Sequence, residues 1–248
     1  MAEESGCPTP RDKQCDDGLR AYAYGRNTTG EAALRDSFGT SMLKILGKAS
    51  SINVRKVLWT CAELGIEFDR EDWGVGFQST TQKSFTKLNP NAMVPVILDG
   101  DFVLWESNTI CRYLCNKSRN TELLPTQSKA RARTEQWMDW QATELNNAWR
   151  YAFMALVRDS PAHRDRDQIQ ASVENWNRHI GILESELATG GPYITGGGFS
   201  LADVVLGLSV NRWMLAPIER PPCPAVLNYY ERLSERSGFR LFGRNGQP

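Results

Sequence analysis

Short apolar runs alternate with a helical period between residues 42 and 118, and this alternation restricts the possible folds more than any other feature of the sequence. Residues 42–46 are typical of a short buried strand. Apolar residues from Val54 to Leu64 recur at helical spacing and end at Gly65, a common residue after a helix. Residues 67–71 can form a second strand. Because these elements follow each other closely, they are predicted to build a sheet with helices packed against it.

The second half of the same segment is typical of a β-hairpin followed by a helix. A short helix is expected near 84–88, and apolar strands at 94–98 and 102–105 flank an aspartate–glycine turn. A helix over 106–116 completes the unit. The order β-α-β-α-β-β-α predicts a small, mixed, four-stranded sheet with its helices on the faces, a fold of the α+β class.

From about Ser128 the sequence is helical. Apolar residues step by three or four along one long helix that starts there, and a second long helix fits 165–187. Ser200 and Asp203 have the spacing of a capping box in front of a further helix. Residues 1–41 differ, because their charged and turn-forming residues show almost no apolar period, and we expect a disordered or loosely packed extension. The predicted bounds are the extension at 1–41, a sheet domain at 42–118, a linker at 119–127 and an all-helical domain at 128–248.

Charge and composition exclude several classes of partner. Twenty-nine basic residues balance twenty-nine acidic ones, so no overall field attracts nucleic acid or an anionic membrane surface. The apolar run at 201–210 is far shorter than the roughly 20 residues that cross a bilayer, and the first twenty residues hold no apolar signal segment. The six cysteines show neither a disulfide framework nor a zinc-ribbon spacing. These features predict a reduced, cytoplasmic protein with no metal, no nucleic-acid partner and no membrane partner.

The first strand-to-helix junction carries three polar residues, Ser50, Ser51 and Asn53. Serine and asparagine at such a position are most often helix N-caps. The alternative interpretation is functional, because polar groups at the positive end of a helix can face an anion. Taken alone, the residues favour the cap.

Two further junctions flank the predicted hairpin. If the Val94–Pro95 bond is cis, the Val94 main chain can pair with an extended peptide ligand, and the alternative is an ordinary trans proline that starts a strand. Glu106 and Ser107 lie between a strand and a helix, where such residues commonly form a capped helix start. Their functional interpretation is an ammonium group on Glu106 and a carboxylate at Ser107, which together match the two charges of an amino-acid α-centre.

Four motifs follow one another in a fixed order. They are Ser51-x-Asn53-Val54, LNPxxxVPVxLDGD at 88–101, LWESNxIxxYL at 104–114, and the Phe199-Ser200-Leu201-Ala202-Asp203 segment. In this order and at this spacing they resemble the soluble glutathione S-transferases, over residues 42 to about 239. The last motif looks like the capping box and hydrophobic staple of that family. The serine-x-asparagine pattern is most similar to bacterial transferases akin to the phi and theta classes.

The resemblance implies a thioredoxin-like N-terminal domain that carries the glutathione site, an all-α C-terminal domain, and a homodimer. It also implies that Ser51 hydrogen-bonds the sulfur of glutathione, with Asn53 as a nearby alternate. Ser50 is adjacent, so the sulfur ligand stays open among these residues. The other implied contacts are Val94 and Pro95 for the cysteinyl backbone, Glu106 and Ser107 for the γ-glutamyl end, and Gln78 and Lys87 as candidates for the glycyl end.

The electrophile is expected between the domains, against the long helix that starts near Ser128. A cluster of aromatic residues and methionine there is either core or pocket, and Arg150 beside a tryptophan suggests an anionic group on the substrate. The cluster comprises Trp149, Arg150, Phe153 and Met154, with Trp213 from a later helix. His163 and His179 are expected at the surface, where they give no support for a Ser-His-Asp triad.

The leading hypothesis is therefore a detoxifying glutathione transferase. Glutathione is its co-substrate, and the thiolate attacks a small electrophile by conjugation or dehalogenation. The second hypothesis is a glutathione-dependent peroxidase or disulfide reductase, with Asn53 as the main polar contact. The third is a non-catalytic binding module, because a fold does not fix a function.

Overall fold

The computed structural model describes residues 42–248, and the extension predicted at 1–41 lies outside this range. The strands are β1 Leu43–Leu46, β2 Phe68–Glu71, β3 Val96–Asp99 and β4 Phe102–Trp105. They form one sheet in the order β2-β1-β3-β4, in which β1 is parallel to β2 and antiparallel to β3, and β4 is antiparallel to β3. The mixed four-stranded sheet predicted from the sequence is confirmed.

Helices make up the rest of the regular structure within residues 42–248. They are α1 Ile52–Leu64, α2 Lys83–Thr86, α3 Ser107–Lys117, α4 Ser128–Trp140, α5 Asn146–Leu156, α6 Arg166–Gly190, α7 Leu201–Leu215, α8 Pro224–Ser234 and α9 Ser237–Phe242. The predicted all-helical C-terminal part is confirmed, whereas α9 was not predicted. The domain bounds stay a prediction.

The α4–α5 region was predicted as one continuous α-helix, and that is wrong. A π-helical segment, Gln141–Leu145, separates α4 from α5. A π turn holds more residues than an α turn, so every side chain after it faces a different direction from the one that an uninterrupted helix gives. Leu145 is buried, while Glu144, which the uninterrupted helix places on the apolar face, is exposed.

Trp59 of α1 joins the sheet to the C-terminal helices. Its side chain is fully buried, and its ring centroid lies 4.9 Å from that of Phe239 in α9. Gly238 permits this contact, because a Cβ at that position would lie 2.4 Å from the Trp59 Cδ1 atom. The short helix α9 therefore closes over α1, which explains why six residues with little periodicity of their own are helical.

The predicted capping box at the start of α7 is present. The Asp203 carboxylate is fully buried and accepts hydrogen bonds from the main-chain N–H groups of Ile194 and Ser200, at 2.9 and 2.8 Å. It also accepts from the Ser200 and Tyr229 hydroxyls, at 3.0 and 3.1 Å. Burial raises the pKa of Asp203 to about 6, although all of these donors favour its ionised form. The box fixes the start of the most deeply buried helix.

The expectation that both histidines lie at the surface is wrong for His179. This side chain is buried on α6, and its Nδ1 lies 2.7 Å from the main-chain oxygen of Asn175. His179 shares a helix face with Trp176 and Leu183, both of which are buried. His163 is half-buried beside the Ser160 hydroxyl, 2.8 Å away.

No helix within residues 42–248 is long and apolar enough to cross a membrane. In the same part of the chain, no three histidine, cysteine or acidic side chains lie together as metal ligands would. Cys61, Cys111, Cys115 and Cys223 are free and buried. Burial raises the pKa of Cys111 to about 11, so its thiol stays protonated near neutral pH.

Candidate active site

Ser51 occupies the N-cap position of α1, yet its hydroxyl does not cap the helix. Its backbone is extended, with φ −78° and ψ 123°, and its carbonyl accepts a hydrogen bond from the Arg55 N–H at 2.9 Å. The side chain makes no capping hydrogen bond and is partly exposed. The Ser51 main chain therefore adopts the N-cap conformation without help from the side chain. The Oγ atom is left at the positive end of a 13-residue helix.

Ser50 and Asn53 lie on either side of Ser51 and are also partly exposed. Neither side chain hydrogen-bonds to another residue within 42–248. Three polar side chains thus surround one helix N-terminus. The identity of the sulfur ligand stays a prediction.

Val94 lies next to the loop that leads into α1. The Val94–Pro95 peptide bond is cis. Val94 precedes β3, whose first residue, Val96, pairs with Leu46 of β1. Gly47 allows the close approach of the two segments, because a Cβ there would meet the Val94 Cβ at 3.0 Å and Val54 Cγ2 at 2.5 Å. Val94 itself lies outside the strands, and its main-chain N–H and C=O groups make no hydrogen bond within residues 42–248. These groups are therefore free to pair with a ligand.

Glu106 links β4 to α3 with a backbone conformation that residues other than glycine rarely adopt. Its φ is 73° and ψ 106°, and its exposed side chain makes no capping hydrogen bond. Such strain is costly and is found most often at functional sites. No local pattern around Glu106 predicts this conformation. The next residue, Ser107, is buried in the first turn of α3, at a helix end that favours anions.

The two candidates for the glycyl end of glutathione lie on the segment between β2 and β3. Gln78 is exposed, but its amide donates a hydrogen bond to the Glu71 Oε1 atom at 2.9 Å. Lys87 is exposed at the C-terminal end of α2. Their contacts with glutathione stay predictions.

The residues predicted to contact the electrophile differ in their exposure to solvent. Trp149, Phe153 and Trp213 are buried, and the Trp213 indole N–H donates to the Asn177 side chain at 2.8 Å. Their burial favours the core interpretation, and their contact with an electrophile stays a prediction. Met154 is partly exposed.

Arg150 does not lie against the tryptophan side of α5, as the sequence suggested, but is exposed. The reason is the helical period, because adjacent residues point about 100° apart and Trp149 faces the core. The arginine that contacts Trp149 is Arg212 of α7, with its Cζ atom 4.4 Å from the ring centroid. Sequence reasoning missed it, because a residue 63 positions away along the chain has no local signal.

A buried polar network, also missed, connects α1 with α3 and the π-helical segment. The Lys56 ammonium is buried and donates to the Asn108 and Gln141 side-chain oxygens, at 3.2 and 2.7 Å. The Gln141 amide in turn donates to the Ser209 hydroxyl of α7 at 3.0 Å. Burial lowers the pKa of Lys56 to about 8. Asn108 follows Ser107 directly, so the network fixes the start of α3.

Comparison with known proteins identifies the family. The model of the glutathione S-transferase N-terminal domain matches residues 41–116, and that of the C-terminal domain matches residues 166–232. The chain belongs to the glutathione S-transferase family. Its thioredoxin-like first half and helical second half follow from that membership.

Several relatives of this glutathione S-transferase align over most of their length. Glutathione S-transferase GstB of Escherichia coli K12 is 33% identical over 201 residues, which are 80% of this chain and 96% of the relative. Glutathione S-transferase 3 of Zea mays is 31% identical over 80% of this chain and 91% of its own. A theta class glutathione S-transferase from Xanthomonas axonopodis pv. citri, solved with glutathione bound, is 34% identical with a TM-score of 0.76, covering 81% and 96% of the two chains.

Proposed function

We propose that this chain is a glutathione transferase in which the Ser51 hydroxyl stabilises the glutathione thiolate. The observation that carries the proposal is the Ser51 Oγ atom, which caps no helix N–H and is free to donate to sulfur. The thiol gives its proton to water, and the thiolate then attacks a carbon of a small electrophile. A sulfur–carbon bond forms, and a leaving group such as halide departs with its electron pair.

The chemistry needs no general base. A free thiol has a pKa of about 8.5, and one hydrogen bond to a charged acceptor contributes about 1.5–3 kcal/mol. At 1.36 kcal/mol per pKa unit, this lowers the thiol pKa by about one to two units. The N-terminus of α1 adds further stabilisation for an anion in the same place.

The remainder of glutathione fits the other two junctions. The exposed Glu106 carboxylate has no salt bridge within residues 42–248 and suits the γ-glutamyl ammonium. Ser107, at the N-terminus of α3, suits the adjacent carboxylate. The unpaired Val94 main chain suits the cysteinyl backbone, as an added strand would.

Retention of the purified protein on immobilised glutathione, followed by a conjugation assay with a neutral halogenated aromatic, tests the proposal. We expect retention and turnover, and Glu106→Gln should elute at a lower concentration of free glutathione. Lys129→Gln, on the exposed first turn of α4, is the matched control. Absence of binding would contradict the proposal and support a non-catalytic module.

A glutathione-dependent peroxidase or disulfide reductase is a second candidate. The partly exposed Asn53 side chain, with no hydrogen-bond partner within residues 42–248, favours it, since an amide N–H can also donate to sulfur. The test is the rate at which a hydroperoxide is reduced. Loss of this activity in Asn53→Ala, with the activity kept in Ser51→Ala, would support this candidate over the transferase.

We also propose a homodimer in the cytoplasm. Val75 and Phe77 are exposed by 87% and 57%, in a loop between β2 and α2, and a second copy would cover them. Light scattering of wild type and Phe77→Asp tests the dimer, because a monomeric wild type or a dimeric variant would contradict this role.

A further inference from the structure

Arg212 is a buried cation without a partner. Its side chain is 3% exposed, and it makes neither a hydrogen bond nor a salt bridge to any residue within 42–248. Its Nε atom is buried and has no hydrogen-bond partner within residues 42–248. A buried charge is normally neutralised, because removing it from water costs several kcal/mol. Burial lowers the pKa of Arg212 well below its usual range.

Two aromatic rings of α5 fix the orientation of this guanidinium. The Arg212 Cζ atom lies 4.4 Å from the Trp149 ring centroid and 4.0 Å from that of Phe153. Stacking on aromatic faces stabilises a guanidinium plane but leaves its N–H groups, which lie at the edge, without acceptors. The rings therefore hold a fork of donors in place for an acceptor that residues 42–248 do not supply.

Further cations surround the same place, with no acidic side chain to balance them. The charges of Arg55 and Arg158 add to the lowering of the Arg212 pKa. The Arg55 guanidinium donates to the Gln247 and Pro248 main-chain oxygens, at 2.9 and 2.8 Å, and so already has acceptors. Arg158 also lies against the Phe153 ring, 5.4 Å from its centroid. No Asp or Glu within residues 42–248 forms a salt bridge with any of these three arginines.

This cationic cluster lies beside the proposed sulfur site. Arg55 is one helical turn after Ser51 and donates its N–H to the Ser51 carbonyl. Lys48, three residues before Ser51, has its pKa lowered by burial and by the charge of Arg158. Lys48 and Arg55 thus flank the N-terminal end of α1 along the chain, and the charge of Arg158 lowers the pKa of both, although the chain as a whole carries no net charge.

We propose that Arg212, together with Arg158, binds a carboxylate on the electrophile, so that the preferred substrates are small electrophiles that carry an anionic group. This proposal rests on the proposed transferase function. The arginine fork holds the carboxylate, and the carbon that bears the leaving group points to the sulfur. The thiolate forms the sulfur–carbon bond while halide departs, and the carboxylate is unchanged. Arg150, the candidate from the sequence, has no part in it.

Iodoacetate and iodoacetamide test the proposal, because they share a reacting carbon and leaving group and differ in charge. After subtraction of the uncatalysed rates, we expect Arg212→Gln to lower kcat/KM for iodoacetate by about 10- to 100-fold, the effect of one charge-assisted hydrogen bond. The rate with iodoacetamide should change less than about threefold. Arg178→Gln, an exposed arginine on α6, is the matched control and should change neither.

A second measurement does not depend on that variant folding. Propionate, an unreactive carboxylate, should inhibit the wild-type reaction with iodoacetate competitively, and propionamide should not. Equal losses with both probes in Arg212→Gln, or no inhibition by propionate, would overturn the proposal while leaving the transferase function intact. An inactive wild type with iodoacetamide and iodoacetate alike would overturn both.

Discussion

Replacing Ser51 by alanine removes one oxygen atom that has no structural partner. In most helices an N-cap serine contributes about 1 kcal/mol to stability, because its oxygen accepts from a free N–H of the first turn. Here that bond is absent. We therefore expect Ser51→Ala to change the free energy of unfolding by less than about 0.5 kcal/mol, as for an ordinary surface substitution.

The catalytic effect should be much larger. If the hydroxyl lowers the thiol pKa by one to two units, glutathione bound to the wild type is about 25–75% thiolate at pH 7. With an unperturbed pKa of about 8.5, the variant holds about 3%. The variant should therefore lose about one order of magnitude in kcat at pH 7, and the loss should shrink as the pH approaches 9.

The assay is the pH dependence of kcat with glutathione at saturation and a neutral halogenated aromatic as electrophile. Ser50→Ala and Asn53→Ala are matched controls, because both side chains are partly exposed at the same helix end. A profile that Ser51→Ala leaves unchanged, while either control shifts it upward, would refute the assignment. A loss of stability near 1 kcal/mol in Ser51→Ala would refute the reasoning about the cap.

Three further substitutions test two buried groups, Lys56 and Asp203, and the strained backbone at Glu106. Lys56 has a folded-state pKa of about 8 against 10.5 unfolded, so the folded protein binds fewer protons between these values and stability rises with pH. Relative to Lys56→Met, the wild type should gain about 1–2 kcal/mol between pH 8 and 9.5 in urea titrations. Glu106→Gly should raise the unfolding free energy by about 1 kcal/mol, because glycine adopts a φ of 73° freely, and should raise the KM for glutathione. Asp203→Ala should cost about 3 kcal/mol or more in the same titrations, because it leaves several buried donors unpaired.

Each of these has an outcome that contradicts it. A difference between wild type and Lys56→Met that is flat with pH would mean that the lysine titrates normally. Glu106→Gln keeps the backbone strain and should match the wild type in stability, so an equal gain in both variants would remove the strain argument. Ser200→Ala loses fewer bonds than Asp203→Ala, and the reverse order of stabilities would contradict the ranking.

Local pattern was enough for the order of elements, the mixed sheet and the three polar junctions. The strand and helix periods, the aspartate–glycine turn and Gly65 each depend on a few neighbouring residues. The local structure that they form can therefore be predicted from the sequence without knowledge of the fold. The same holds for the capping box, whose members are three residues apart. The family resemblance rested on these local motifs as well.

Only the tertiary structure decided which polar groups are free. Whether the Ser51 hydroxyl caps a helix, whether Glu106 is strained, and which arginine meets Trp149 all depend on packing between distant segments. The π-helical segment at Gln141–Leu145 shows the physical reason. Each α-helical residue turns the side-chain direction by about 100°, so an irregular turn changes which neighbouring residues face the core, as where Leu145 is buried and Glu144 is exposed. The arginine that meets Trp149 is Arg212, on a helix that local patterns in the sequence do not place next to α5.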